Sequence, residues 1–496
     1  MRFSSAVRIL FFLGAALTVL AVVPYSAFDL SRFFAPKELV LNAVALALAL
    51  LTLRQAEKLR FTRADIALSL YLFFSLASAL FAKDLWLSSS AVAVTFSGAA
   101  VFWAARVVAS GGLRGAIIAA AACAGVIGAV ASLAQAYGVS CDLFSVHRIP
   151  GGTMGNRNFM AHLSAICTPA LVLAALTARR KWTFAFWAVG AAIIADALVL
   201  SRCRAALLGL ALGGGVLACA IWFARGRWRD ALTAFRLKVL FGFACAGIIA
   251  ALLIPNTLDW KSDSPYLDTV SGIVNYHSGS GHGRLIQYGR TLRMAAAHPL
   301  LGVGPGNWGL VYPEFSRYFD PSIDYFTGMT INPWPSSDWM AIVSERGFPA
   351  VFSLIAFLLL LLFSACRRAL NAENFTEYRE GVALAASILV SATAGCFDPV
   401  LMLPASSFAL WSLFGALSPA MAECFSYSLL PNRRRFLIGL AAVFGALAIV
   451  RSAGQVAAMA VYSKARNIRQ ISTAARLDPG NLKIRIRLSG VKRQAD

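Results

Sequence analysis

The strongest constraint on this chain of 496 residues is a succession of apolar runs, each about as long as a bilayer is thick. An α-helix needs about 17–25 predominantly apolar residues to cross the hydrocarbon core. Runs of that kind lie near 7–24, 38–53, 64–82, 86–105, 115–138, 158–177, 182–200, 205–223, 237–254, 349–365, 381–397, 404–421 and 436–452. With 59% hydrophobic and only 14% charged residues, the chain also lacks the polar cover that a soluble domain of this size needs. The expected fold is an all-α polytopic membrane protein of about 12–13 transmembrane helices, with a large loop between the ninth and tenth. It divides into transmembrane helices over 1–254, a loop with helices of its own over 255–337, further transmembrane helices over 338–452, and a helical tail over 453–496. Arg2 and Arg8 ahead of a short apolar stretch also fit a cleaved leader, which would leave the downstream topology unchanged.

The charge balance, 45 Lys+Arg against 23 Asp+Glu for a net +22, bears first on orientation and on anionic membrane lipid. Nucleic acid is not an expected partner. Placing the N-terminus inside puts Arg54, Lys58, Arg60, Arg63, Arg179, Arg180, Lys181, Arg225, Arg227, Arg229, Arg236, Lys238, Arg367, Arg368, Arg433, Arg434 and Arg435 in the cytoplasm. The loop 255–337 and the tail then face outward, which in the inner membrane of a bacterium is the periplasm. The tail is basic nonetheless, through Lys464, Arg466, Arg469, Arg476, Lys483, Arg485 and Arg487, and late tails translocate largely regardless of charge. Nine cysteines without a C-x-x-C pair indicate neither a metal site nor a disulfide framework, and the outer acids Asp263, Asp268, Glu314, Asp320 and Asp324 are scattered. No cofactor or metal is expected.

In a membrane enzyme the informative residues are the polar ones that the bilayer makes costly, and here they gather at the outer ends of the spans. A carrier would place ionisable groups and broken helices near the midplane; Asp196, the acid deepest in a run, lies about a turn from an outer end. Three outer clusters stand out. His147-Arg148-Ile149-Pro150-Gly151-Gly152 leads into Gly155-Asn156-Arg157-Asn158, where the asparagines can cap the sixth span. Ser201-Arg202-Cys203-Arg204 makes a tight turn whose two arginines call for an anion, an acidic partner or lipid headgroups. In the large loop, 284–297 reads as a helix burying Leu285, Tyr288 and Leu292, ended by His298-Pro299 and Gly302-Val303-Gly304-Pro305-Gly306. Arg284 then falls at a helix N-terminus, a place suited to phosphate.

Taken in order, Gly155-Asn156-Arg157-Asn158-Phe159, Ser201-Arg202-Cys203-Arg204-Ala205-Ala206-Leu207-Leu208, and Gly283-Arg284 leading to His298-Pro299-Leu300-Leu301-Gly302-Val303-Gly304-Pro305-Gly306 resemble the signatures of the O-antigen ligase and polymerase superfamily across roughly residues 30–420. The resemblance implies a metal-independent membrane glycosyltransferase with an undecaprenyl-diphosphate-linked glycan as donor. The acceptor would be a lipid A core sugar for a ligase, or a second lipid-linked glycan for a polymerase. By the family's pattern Arg202 or Arg204, and Arg284, meet the diphosphate. Arg157 is added to them, although the matching family position more often holds proline. A planar guanidinium suits this work, holding phosphate oxygens bidentately and staying charged at any working pH.

Ligases of the family are expected to carry a histidine before the span that follows the large loop, and here Ser336 stands in its place. Serine is no general base at neutral pH. Asp338 and Glu345, seven residues apart and so nearly on one helix face, can supply a carboxylate pair. Equally, Asp338 can cap the helix and Glu345 pair with Arg346. His277 and His282 lie in the Gly/Ser-rich stretch nearby. The tail, through Tyr462, Ala465, Ile468, Ile471, Ala474, Ala475, Leu477 and Asp478-Pro479-Gly480-Asn481, looks like one tetratricopeptide unit. It is either a docking stub or a basic amphipathic segment lying on lipid headgroups.

Overall fold

The computed structural model describes residues 5–28, 30–224, 231–260, 262, 264–271, 279–317, 319–418 and 423–495. Thirteen helices form the bundle: α1 (Ser5–Leu20), α2 (Ser31–Gln55), α3 (Arg63–Leu80), α4 (Leu85–Val108), α5 (Arg114–Ala136), α6 (Arg157–Thr177), α7 (Lys181–Ser201), α8 (Arg204–Ala224), α9 (Ala231–Leu253), α13 (Asp338–Leu370), α14 (Phe375–Ala394), α15 (Pro404–Leu417) and α16 (Pro431–Ser463). Between α9 and α13 the loop carries α10 (Pro265–Ser271), α11 (Gly279–Ala297) and α12 (Trp308–Val311), and the tail carries α17 (Ile468–Leu477) and α18 (Leu482–Ala495). The protein is an all-α polytopic membrane protein, and among the described residues nine stretches are long and apolar enough to cross a membrane, while α1 and α15 are shorter apolar helices.

The separate runs expected near 86–105 and 115–138 are α4 and α5. Leu85–Ala136 is one apolar stretch of 52 residues. Gly112, at φ +95°, breaks it, so that α4 descends and α5 returns. The two free ends show the reversal: Asp84, which caps α4, accepts from the backbone of its own first turn and receives Asn307 on its carbonyl, while the Ala136 carbonyl at the end of α5 is taken by Thr257. Both partners belong to the large loop. At the opposite end Arg114 binds Glu380 at 2.7 Å. That end also carries a small antiparallel ribbon, Lys58–Thr62 on Glu423–Ser428, which the apolar pattern did not foretell.

Helix exposure follows position. α8, α9 and α16 present most of their surface outward, α6 is largely buried, and all fourteen residues of α15 are buried. At about 1.5 Å per residue α15 spans roughly 21 Å, short of a hydrocarbon core of about 30 Å. The segment 395–403 ahead of it therefore dips into the bundle from the loop end.

The glycine-rich signature of the loop wraps around the start of α13. Gly302, Gly304 and Gly306 have φ of +63°, +100° and +72°. The Val303 and Gly304 N–H groups donate to the carbonyls of Ser344 and Glu345 at 3.0 and 2.9 Å. A Cβ at Gly302 would lie 2.3 Å from the Glu345 carbonyl carbon. Gly302→Ala thus meets both left-handed strain and backbone overlap, about 3 kcal/mol together. It is expected to lower the thermal midpoint in detergent by several degrees, whereas Gly439→Ala, with open space around it, leaves the midpoint unchanged.

The tail is docked on the protein. Ile471, Ala474 and Ile484 pack with Phe28, Ala458, Met459 and Tyr462, and Asp478 accepts from the Trp86 indole at 2.8 Å. The apolar face that would lie on lipid is spent on α16 and on the turn before α2, because α16 runs on to Ser463 and carries the tail back over that turn.

Candidate functional site

At the loop end, where α6, α8, α11 and the segment 395–403 meet, one carboxylate gathers three donors. Asp398 Oδ2 accepts from Asn158 Nδ2 at 3.2 Å and Arg284 Nη2 at 3.2 Å, and lies 3.1 Å from His162 Nε2. Asn158 is on the first turn of α6, where Asn156 caps the helix by accepting from the Asn158 N–H, and His162 follows one turn later. Burial alone would raise the Asp398 carboxyl, but the His162 hydrogen bond and the Arg284 guanidinium outweigh it and hold the group below the usual carboxylate range. Cys203 Sγ sits 3.8 Å from His162 Nε2, drawing the turn between α7 and α8 against the same cluster.

Around this acid the structure brings together arginines from separate parts of the chain. Arg157 and Arg202 both lie over the Trp260 ring, at 5.3 and 4.9 Å from its centre. Arg148 is close enough to act electrostatically on both Arg157 and Asp398. Arg202 Nε donates to Thr269 at 2.8 Å, and Arg204 Nη2 to Ser280 at 3.2 Å. Among the described residues only Arg148, Arg202 and Phe319 combine a side chain with positive φ, and two of the three are in this basin. Such backbone is held in place only by its surroundings, here by the Ser201 hydroxyl taking the Cys203 N–H at 3.2 Å. Arg148, Arg157, Arg202 and Arg284 thus gather about one acid, Asp398, forming a basin of guanidinium groups at the loop end.

The large-loop helix departs from its sequence reading. α11 begins at Gly279, so Arg284 stands in its second turn rather than at its N-terminus, and the helix dipole does not add to its charge. Leu285 and Leu292 are exposed, and the buried face is Gln287, Thr291, Met294 and Ala295. That polar face is kept inside by hydrogen bonds, Gln287 to the Ser336 N–H at 2.7 Å and Thr291 to the Trp308 indole at 3.1 Å. Tyr288 reaches the carbonyls of Ser336 and Cys396.

Asp338 and Glu345 are both fully enclosed. Asp338 receives the backbone N–H groups of Val400 and Leu401 at 2.9 and 3.0 Å, and so fixes the segment that carries Asp398. Glu345 accepts from the Trp308 N–H at 3.2 Å beneath the glycine wrap. Neither carboxylate stands open to a substrate hydroxyl. Arg346 is engaged separately by Tyr71 and Thr95. His282 is exposed on α11, and His277 lies outside the described residues. Asp338→Ala is expected to loosen the 395–403 segment, read as faster amide exchange there, while the basin arginines stay in place.

Sequence reasoning singled out Arg157, Arg202, Arg204 and Arg284 but passed over His162, Asp398 and Trp260. A signal existed for His162, an ionisable group inside an apolar run, which by default marks a site in membranes. Asp398 gave none, since it falls just past a span, between Phe397 and Pro399. A search of the curated proteins finds no match to the chain. The family model described as O-antigen ligase matches residues 189–355, a stretch that takes in Arg202, Arg204, Arg284, the glycine wrap, Asp338 and Glu345. Over residues 189–355, about a third of its length, the chain is thus similar to the O-antigen ligase family.

Proposed function

We propose that the arginine basin binds the diphosphate of an undecaprenyl-linked glycan, and that the protein transfers this glycan to a lipid A core sugar on the periplasmic face of the bacterial inner membrane. The observation that supports this is the basin itself: four arginines from two loops and two helices, arranged about one buried acid at the loop end. The acceptor hydroxyl oxygen bonds to the anomeric carbon as the bond from that carbon to the diphosphate oxygen breaks. The polyprenyl diphosphate leaves with the bonding pair and takes up the hydroxyl proton. Charge grows on the diphosphate in the transition state, so cations already in place favour that state over the bound donor.

A second acceptor is favoured by one feature, Ser336 where ligases of the family are expected to carry histidine. With a second lipid-linked glycan as acceptor the same site is a polymerase. Deleting the gene in its host and resolving surface glycolipid beside the lipid-linked pool separates the two. Long chains held on the polyprenyl carrier over a bare core mean a ligase, and a core bearing a single repeat means a polymerase. An unchanged glycolipid and precursor pool counts against both.

A further inference from the structure

Beside the arginine basin lies an open cavity of about 550 Å³. Two short stretches of chain connect them: Val146 on the cavity lies two residues before Arg148, and Thr257 three residues before Trp260. Thr257 is fixed by its N–H and its hydroxyl, both donating to the Ala136 carbonyl at 2.9 and 3.0 Å. The floor is equally firm. Arg32 donates to the carbonyls of Asp142 and Phe144 at 2.9 and 2.7 Å, and Gln135 links Ser145 to the Gly152 N–H. From this frame Ser26, Ser140 and Asp142 stand exposed, their side chains without a hydrogen-bond partner among the described residues.

The chemistry of this cavity differs from that of the basin. It has one guanidinium, already committed to backbone carbonyls, and one unpaired carboxylate, so no surplus of positive charge draws a phosphate into it. It offers instead hydroxyls, a carboxylate acceptor and the apolar wall of Phe144 and Val139. A ring with hydroxyls around its rim and C–H groups on its face needs just those partners, and the volume is within the roughly 300–1,000 Å³ usual for small-molecule sites. We infer that the cavity is a saccharide subsite in which Asp142 accepts hydrogen bonds from sugar hydroxyls. The inference rests on reading the basin as the diphosphate site, because it sets sugar beside diphosphate. The saccharide belongs either to the donor glycan or to the acceptor, which share this chemistry.

Cys141, exposed on the cavity rim, supplies a native reporter. Full-length protein in nanodiscs is labelled with a maleimide, and modification of Cys141 is read by peptide mass spectrometry. Two probes are compared: oligosaccharide cleaved from the host's surface glycolipid, and glycan cleaved from its lipid-linked pool. One of them is expected to protect Cys141 in the parent protein, which tells acceptor from donor. In Asp142→Asn and in Ser140→Trp, which fills the cavity, protection is expected to need about tenfold more saccharide. The KM of that same substrate should rise with it, while the other KM holds. Protection by neither saccharide, equal protection in parent and both variants, or protection by inorganic pyrophosphate as good as by sugar would each overturn the inference. Arg284→Ala keeps the protection if the subsite is real. Should Arg284→Ala retain full glycan joining while protection is intact, the diphosphate reading fails and the saccharide subsite stands.

Discussion

Replacing Arg284 by alanine is expected to lower glycan joining by about 10²–10³-fold, the usual loss when one preorganised donor to developing negative charge is removed. Lipid-linked precursor should accumulate in step. Its side chain is 21% exposed while that of Asp398 is 7% exposed, so one edge of the guanidinium is held by the acid and the rest faces the basin. Fold stability should change little by comparison, because Asp398 keeps Asn158 and His162. Arg284→Lys restores charge without the planar fork and should recover only a small part of the rate. The measurement is turnover of purified protein with lipid-linked glycan, set beside the thermal midpoint of each variant. Joining at the parent rate in Arg284→Ala would remove the basin from the reaction.

Removing the acid has a larger structural effect. Asp398→Ala leaves the buried His162 and the partly exposed Arg284 without their shared acceptor, and breaking the enclosed His162–Asp398 pair in this way costs about 3–5 kcal/mol. Against a total of about 5–15 kcal/mol for a folded domain, that should show as a sharp fall in folded yield. Asp398→Asn keeps the shape and one acceptor oxygen, and should fall between the two. Since Arg284 and Asp398 are in contact, Asp398→Asn combined with Arg284→Gln should cost less than the two apart. The pH dependence follows from the direction of the shift. A carboxyl held low by its partners contributes stability that is present above its ordinary value near 4 and is lost as pH falls through the lower folded value. The parent protein should therefore lose stability below about pH 4 more steeply than Asp398→Asn, read from thermal midpoints across an acid series.

Much of the architecture was legible because a bilayer imposes a length on every crossing and tolerates few charges within it. The shortness of α15 was less so, since it depends on complete enclosure by neighbouring helices. The arginines of the site were legible for the same reason as the spans: cations at the rim of a membrane stand out against apolar sequence. α11 misled by its pattern, because leucines on a loop helix marked a buried face that hydrogen bonding assigned instead to Gln287 and Thr291.

By itself the sequence determined the class of the protein, the helix-bearing loop between α9 and α13 and the cations gathered at that loop's end, all of them consequences of where apolar and charged residues lie along one chain. Only the tertiary structure decided what those cations surround. Asp398 meets Arg284, His162 and Asn158 from 114, 236 and 240 positions away, and no local pattern encodes such a meeting. It is made by a buried helix too short to reach the surface, which draws a loop into the bundle and sets its carboxylate where burial without partners would be prohibitive.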